Sequence, residues 1–422
     1  MKRGSNNRFD FAFAAFIVSS SLFAVLAALL AGYAAREPIG RVVDEVWRLP
    51  QAFQNPLITE VVHDTPAGFR LVRKVPDPGF LLLSAYLVDE DRVGIRLIDL
   101  SDGSVVHSWY PDSREIRRRS DYSAFSDPDR FQPESPMLLA DGSLVFIDNQ
   151  GPLVRIDGCS RIEWITDGQF HHSLERDLDG NFVVPIVMRP RFMNELMPAP
   201  YLDHGYAVVA PDGEILEVRS ITKIMLEGGL VGLMHTNYPL ELDFAHLNDA
   251  EVAFGDAGIW KRGDMLLSLR NLNLILIYRP ATDEVVWWQT GPWLKQHDPD
   301  FQPDGTITVF SNDVIDESEK TFIHEHSSIY VVDPISNHTE RRFADVMAAE
   351  NIGTITQGLI DLLPNGDIFI EETDAGRLMR ISEDGVVWSY YNRDDEGAGV
   401  LNWSRFLSSA EVAAVNLPVN CP

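Results

Sequence analysis

The stretch GSLVFIDNQGPLVRIDGCSRIEW, residues 142–164, decides the fold. Gly142 stands before an apolar strand, Ser143-Leu144-Val145-Phe146-Ile147. Gly158 stands before a strand that ends in tryptophan, Arg161-Ile162-Glu163-Trp164. A glycine at a tight turn supplies the positive φ that a hairpin needs. Outward from here both turns recur. The first kind occupies Gly79, Gly142, Gly180, Gly263, Gly305 and Gly366. The second occupies Gly103, Gly158, Gly213, Asp283, Asn337 and Gly385. The two kinds alternate without a break, and the intervals Gly103 to Gly158 to Gly213 are each 55 residues. Two hairpins make four strands, the content of one propeller blade. Six such units predict an all-β, six-bladed β-propeller over residues 68–391. A period of about 50 suits propellers rather than solenoids. The more apolar hairpin is expected on the inside of each blade.

Residues 1–36 hold a candidate transmembrane helix. Phe11 to Ala35 is an uncharged run of 25 residues, long enough to span a bilayer. Lys2, Arg3 and Arg8 precede it, so the N-terminus is expected in the cytoplasm and the rest on the periplasmic side, anchored to the membrane. Cleavage of a signal peptide at the small residues 31–35 is the rival reading, for which the run is long. Residues 37–67 read as a juxtamembrane helix and linker, with Val42, Val43, Val46 and Trp47 on one apolar face. Residues 392–422 read as a tail with a short helix beginning near Ser408 or Ser409. Interruptions at 111–133, 188–204 and 220–245 are loops or short helices of the kind that cover a site. Arg117-Arg118-Arg119, in the first, reads as a solvated loop, with an anion-attracting rim as the alternative.

A net charge of −28 argues against a nucleic-acid partner, which needs clustered Lys and Arg. The acidity reads as solubility, since no D-x-D-x-D-G loop marks a calcium site. Cys159 and Cys421 are too few for a disulfide framework or a metal knuckle, and leave open one long-range bridge.

The chemistry follows from counting. His172 lies eight residues before Gly180 and His297 eight before Gly305. His246 opens the same strand in the fourth unit, where an insertion lengthens the turn. Glu134 and Gly358, beside Gln357, hold the corresponding places elsewhere. Counting forward, Arg270, Asn149 and Asn312 each lie seven residues after an inner glycine. Antiparallel pairing puts the start of one strand and the end of the next at the same edge. His172, His246, His297, Arg270 and the two asparagines therefore share one face of the ring. His171 points the other way if its strand is regular. Asp243 and Asp298 flank the histidines and can cap turns or orient an imidazole. His324 and His326 read as surface residues. Imidazoles beside a guanidinium suit attack on a small oxyanion group and stabilisation of its charge.

At these segments the chain resembles the bacterial arylsulfate sulfotransferase family. The matching stretches are Phe170-His171-His172 with Asp179-Gly180-Asn181, Asp243-Phe244-Ala245-His246-Leu247-Asn248, and Gly263-Asp264-Met265-Leu266-Leu267-Ser268-Leu269-Arg270. Gln296-His297-Asp298 and Phe310-Ser311-Asn312 follow, in order, over about 140 residues. The resemblance implies a six-bladed propeller outside the cytoplasmic membrane that moves a sulfuryl group between phenols without a nucleotide donor. It implies that His297 is the nucleophile, forming a sulfohistidine, with His172, His246 and Arg270 around the sulfuryl group. The substrates are then an aryl sulfate donor and a phenolic acceptor. His171, Asn312 and Asn149 are the expected substrate-binding residues; no cofactor and no metal is expected, and a homo-oligomer is compatible. The chain departs from the enterobacterial members in two ways: no room precedes the propeller for their N-terminal β domain, and no cysteine pair lies near His297. Two other readings compete. A metal-dependent hydrolase or lyase needs the three histidines to hold a divalent ion, which Arg270 beside them repels. A non-catalytic envelope propeller, a binding or assembly module, predicts that replacing His297 leaves function intact and that no covalent intermediate forms.

Overall fold

A computed structural model describes residues 57–63, 66–121, 131–193, 195–197, 201–235, 242–316 and 321–421. These belong to the second of two compact units, Pro56–Pro422. The anchor expected at Phe11–Ala35 and most of the juxtamembrane linker lie outside the described residues. Among the described residues no helix is long and apolar enough to cross a membrane.

The chain forms an all-β, propeller-like arrangement of antiparallel sheets. Four sheets have the strand content of one blade, which corrects the expectation of six separate blades. The first is Arg405–Leu407, Phe80–Leu87, Arg92–Asp99 and Val105–Trp109. A second runs through Leu247–Val252, Met265–Leu269, Leu274–Arg279 and Glu284–Thr290. A third holds His297–Phe301, Ile307–Ser311, Ser328–Asp333 and His338–Arg342. The fourth has five strands, Leu359–Leu362, Ile368–Glu372, Arg377–Ser382, Gly385–Tyr391 and Gly68–Leu71. Residues 133–220 build one sheet of eight strands instead of two of four. The link is Phe170, the last residue of Ile162–Phe170: it pairs with Gly151 of its own unit on one side and with Ile186 of the next unit on the other.

The ends of the chain interlock. Gly68–Leu71 forms the outer edge of the last sheet, beside Gly385–Tyr391. Arg405–Leu407, in the stretch read as tail, forms the inner edge of the first, beside Phe80–Leu87. Its helix is Ser409–Ala413, closed by a capping box between Ser408 and Glu411. A disulfide joins Cys159 to Cys421, 262 residues apart, and fastens the tail under the early turns.

The turn residues behave as their chemistry requires, with one exception. Every glycine, Asp283 and Asn337 of the two sets has positive φ except Gly158, whose turn instead places Ser160 at φ 66°. Gly158 is small for another reason: a side chain there would collide with Pro418. The inner strands Leu144–Asp148 and Ile307–Ser311 are buried throughout, whereas the outer strand Ile215–Ser220 is mostly exposed. The arginine run 117–119 is not a loop but part of the helix Ser113–Arg119, capped by Asp112. Arg117 turns inward to a buried ion pair with Asp148, and Arg118 pairs with Glu115, so they do not form an anion-attracting rim.

A kink recurs on the channel side. Ser135, His172, His246, Asp298, Gln357 and Trp403 all have φ between 50° and 65°. Each lies just before, or within the first three residues of, the first strand of its hairpin. Three of those strands break register at or beside the kink, between Glu134 and Met137, Leu247 and Asp249, and His297 and Asp300. A left-handed conformation costs a non-glycine residue on the order of 1–2 kcal/mol, and such strain gathers at functional sites.

Candidate active site

The kinks and strand ends deliver the imidazoles to one place. His246 precedes Leu247–Val252, and its carbonyl accepts from the backbone N–H of Arg270 at 3.0 Å. Arg270 follows Met265–Leu269 and opens a 3-10 turn. His297 is the first residue of its strand. The ring centroid of His172 lies 5.1 Å from that of His246 and 6.0 Å from that of His297. Trp403, from the closing segment, packs against His172 at 5.9 Å and His297 at 6.2 Å.

His297 is buried, with a fixed tautomer. Asn312 Nδ2 donates to the carbonyls of Thr354 (2.9 Å) and Gln357 (2.7 Å). That fixes the amide so that Oδ1 faces His297. His297 Nδ1–H then donates to Asn312 Oδ1 at 2.7 Å. Nε2 is left with a lone pair that, among the described residues, is buried and without a hydrogen-bond partner. Burial, then the charge of Arg270, holds the imidazole well below its ordinary pKa, so it stays neutral. Burial and the neighbouring imidazoles do the same to His172. Burial also keeps His246 below its ordinary value, against the pull of Asp243. Arg270 is itself lowered by burial.

The expected substrate-binding residues have other surroundings. Asn312 orients His297. His171 is fully buried between His172, at 2.9 Å between the two Nδ1 atoms, and His204, at 5.0 Å between ring centroids. Asn149 bonds Gln132 at 2.8 Å and, among the described residues, shares no hydrogen bond with the imidazoles. Asp298 accepts from the Ile360 backbone at 2.7 Å rather than orienting an imidazole. Asp243 does orient one: its Oδ2 lies 2.5 Å from His246 Nδ1. Burial alone would raise the Asp243 carboxyl, but His246 and His204 beside it hold it well below the usual range. His324 is exposed, as expected.

Four further residues belong here that counting did not find or did not weigh. His204 opens a third strand, outside the inner hairpins that were counted, and its Nε2 stands 2.9 Å from Asp243 Oδ1. Trp403 lies in the stretch read as tail. Glu134 accepts from the His172 backbone (3.1 Å) and from Gln357 Nε2 (2.7 Å), and burial pushes its carboxyl up to about 8. Glu371 holds the closing segment by accepting from the backbone of Trp403 and Ser404, at 2.9 and 2.7 Å. Among the described residues, His204, Asp243 and His246 are the group placed to share a metal ion.

Further along the same strands lies a cavity of about 270 Å³, lined by Glu175, Asp249, Glu251, Asp298, Asp300 and Asp361 and closed on one side by Trp403 and Arg405. Burial raises Asp249 to about 7 and Asp361 to about 6, and lifts Glu251, Asp298 and Asp300 well above the usual carboxylate range.

Comparisons with known proteins identify a family and solved structures of similar fold. The arylsulfotransferase (ASST) family model matches residues 136–393. A crystal structure of a protein of unknown function from Bacteroides caccae shares the fold at 14% identity, covering 78% of this chain and 98% of that one, with a TM-score of 0.51. A catalytically inactive virginiamycin B lyase from Staphylococcus aureus, with quinupristin, is 11% identical, covering 78% of this chain and 90% of that one, at a TM-score of 0.41. Hydrazine synthase of Kuenenia stuttgartiensis is 10% identical, covering 74% and 79%, at 0.42. No curated protein matches the chain significantly.

Proposed function

This chain belongs to the arylsulfotransferase family, and from that premise we propose that it moves a sulfuryl group from a phenolic sulfate ester to a phenol through a sulfohistidine at His297, with no nucleotide donor. The observation that carries the mechanism is the buried, unpartnered Nε2 of His297, its lone pair freed by the Asn312 clamp. A neutral imidazole is a nucleophile only in that form, and covalent catalysis divides one hard transfer into two easier ones. In the first, the Nε2–S bond forms as the ester S–O bond breaks, and the phenolate leaves as an anion with Arg270 balancing the charge. In the second, the acceptor phenol gives its proton to neutral His172 or His246 as its oxygen takes the sulfuryl group from His297, whose N–S bond breaks. Arg270 presents planar donors to the sulfuryl oxygens as charge shifts onto them.

The eight-stranded sheet reads as two blades joined at the Phe170–Ile186 pair, giving six blades around the channel; the six channel-side kinks support that count. Phe11–Ala35 would hold the propeller to the outer, periplasmic face of the cytoplasmic membrane. The test is direct: full chain in detergent is incubated with 4-nitrophenyl sulfate and a phenol. Nitrophenol release and a sulfuryl adduct on the His297 peptide are expected. No release from several aryl sulfates overturns the proposal.

A further inference from the structure

We propose a divalent transition-metal site of the zinc class on the far side of His246, with His204 Nε2, the Asp243 carboxylate and His246 Nδ1 as its ligands. Their donor atoms lie within 4.8 Å of one another. Ligands of a single zinc ion, each about 2.0–2.2 Å from it, lie no more than about 4 Å apart, so the widest pair of these atoms closes slightly around an ion. Two imidazoles and one carboxylate are a set that zinc takes with an open fourth position.

The second observation is the state of the ligand atoms. His204 Nε2 and Asp243 Oδ1 are buried and stand 2.9 Å apart, and the other carboxylate oxygen of Asp243 lies 2.5 Å from His246 Nδ1. One carboxylate therefore bridges the two imidazole nitrogens, and a divalent ion would displace the protons now shared between them. Among the described residues His171 Nε2 is also buried without a hydrogen-bond partner, on a ring 5.0 Å from that of His204. The Asp243 backbone carbonyl accepts from Asn271 Nδ2 at 2.6 Å, which anchors the ligand loop. The side chains of Asp243 and His246 are partly exposed, so an ion has a way in.

The objection that Arg270 repels a cation applies to an ion held among His172, His246 and His297. Here the Asp243 carboxylate lies beside the ion and offsets that repulsion. An ion on Nδ1 puts the remaining ring proton of His246 on Nε2. His246 then becomes a fixed donor toward the sulfuryl group, and His172 is left to carry the proton. Only this last consequence rests on the sulfuryl-transfer reading.

The experiment needs no sulfate ester, so its outcome is separate from that of the transfer assay. Full chain in detergent is stripped with a chelator, exposed to Zn²⁺ or Co²⁺, and desalted. One tightly held ion per chain is expected by elemental analysis, with visible d–d absorption for cobalt. His204→Gln and Asp243→Asn should each weaken Zn²⁺ binding by more than about 100-fold, beyond the loss from an outer-shell residue. Their unfolding transitions are recorded alongside. A wild-type chain that retains no ion, or folded variants that bind Zn²⁺ as the wild type does, overturns the proposal. Should both variants fail to fold, the cobalt spectrum of the wild type decides: nitrogen-ligated absorption supports the site and its absence overturns it.

Discussion

Two groups of ionisable side chains share the channel-lining strands only a few residues apart. His246 precedes Leu247–Val252, which carries Asp249 and Glu251; His297 begins the strand that carries Asp298 and Asp300. Burial acts on both groups, with opposite effects on their protons. A low-dielectric site disfavours charge, so the imidazoles give up protons and the carboxylates keep them. In the first group neutrality exposes a lone pair on His297. In the second it removes charge from the part of a cavity wall that Glu251, Asp298 and Asp300 make. What separates them is Arg270, whose charge reaches His297 and His246. Arg405, the cation at the cavity, is bonded to the backbone of Leu174 and Pro136 and to Glu175. Trp403 stands between, touching the imidazoles on one side and lining the cavity on the other.

The comparison breaks most sharply at His297. His297→Ala should lower sulfuryl transfer by at least about 10⁴-fold, the scale seen when a covalent nucleophile is removed, read as nitrophenol release at unchanged fold. Full turnover by that variant would end the nucleophile's assignment. Arg270→Ala should cost about 10²–10³-fold in kcat, the worth of one preorganised donor to developing charge. A loss confined to KM would mean that Arg270 only binds the ester.

Acid sharpens the contrast. His297 titrates below the ordinary histidine range, so it stays neutral as the pH falls through about 6.5. Single-turnover formation of the sulfuryl adduct should therefore persist at pH 5.5; a fall centred near 6.5 would show an exposed, ordinary imidazole instead. The carboxylates supply the smallest effect. Asp249 is about 7 when folded and near 3.9 when unfolded. Between those values the folded state holds a proton that the unfolded state has lost. Its contribution to stability is therefore complete below about pH 4 and is lost as pH rises through about 7. Asp249→Asn should raise stability at pH 8 by on the order of 1 kcal/mol and leave transfer unchanged. Denaturant unfolding at pH 5 and pH 8 measures it, and equal stability of the two chains at pH 8 would refute it.

Several features were legible in the chain itself. The alternating turns were readable because a hairpin demands positive φ at one residue, and only a few residue types supply it cheaply. The shared edge expected for His172, His246, His297 and Arg270 came from their spacing to the turn glycines and from antiparallel strand direction. The fused sheet was not readable, because nothing local marks Ile162–Phe170 as running on to Ile186. Nor was the inward turn of Arg117, since a run of three arginines looks the same on either face of a helix.

From the sequence alone came what depends on neighbours in the chain: turn positions, strand alternation, and the edge at which each imidazole begins. Tertiary structure alone decided what depends on segments far apart. It brought His204 and Asp243 behind His246, carried Trp403 from the tail into the ring, and set the tautomer of His297 through an asparagine held by two carbonyls. The physical reason is range: a backbone turn is specified by the residues that make it, whereas a proton's position is set by whichever groups the closed ring brings against it.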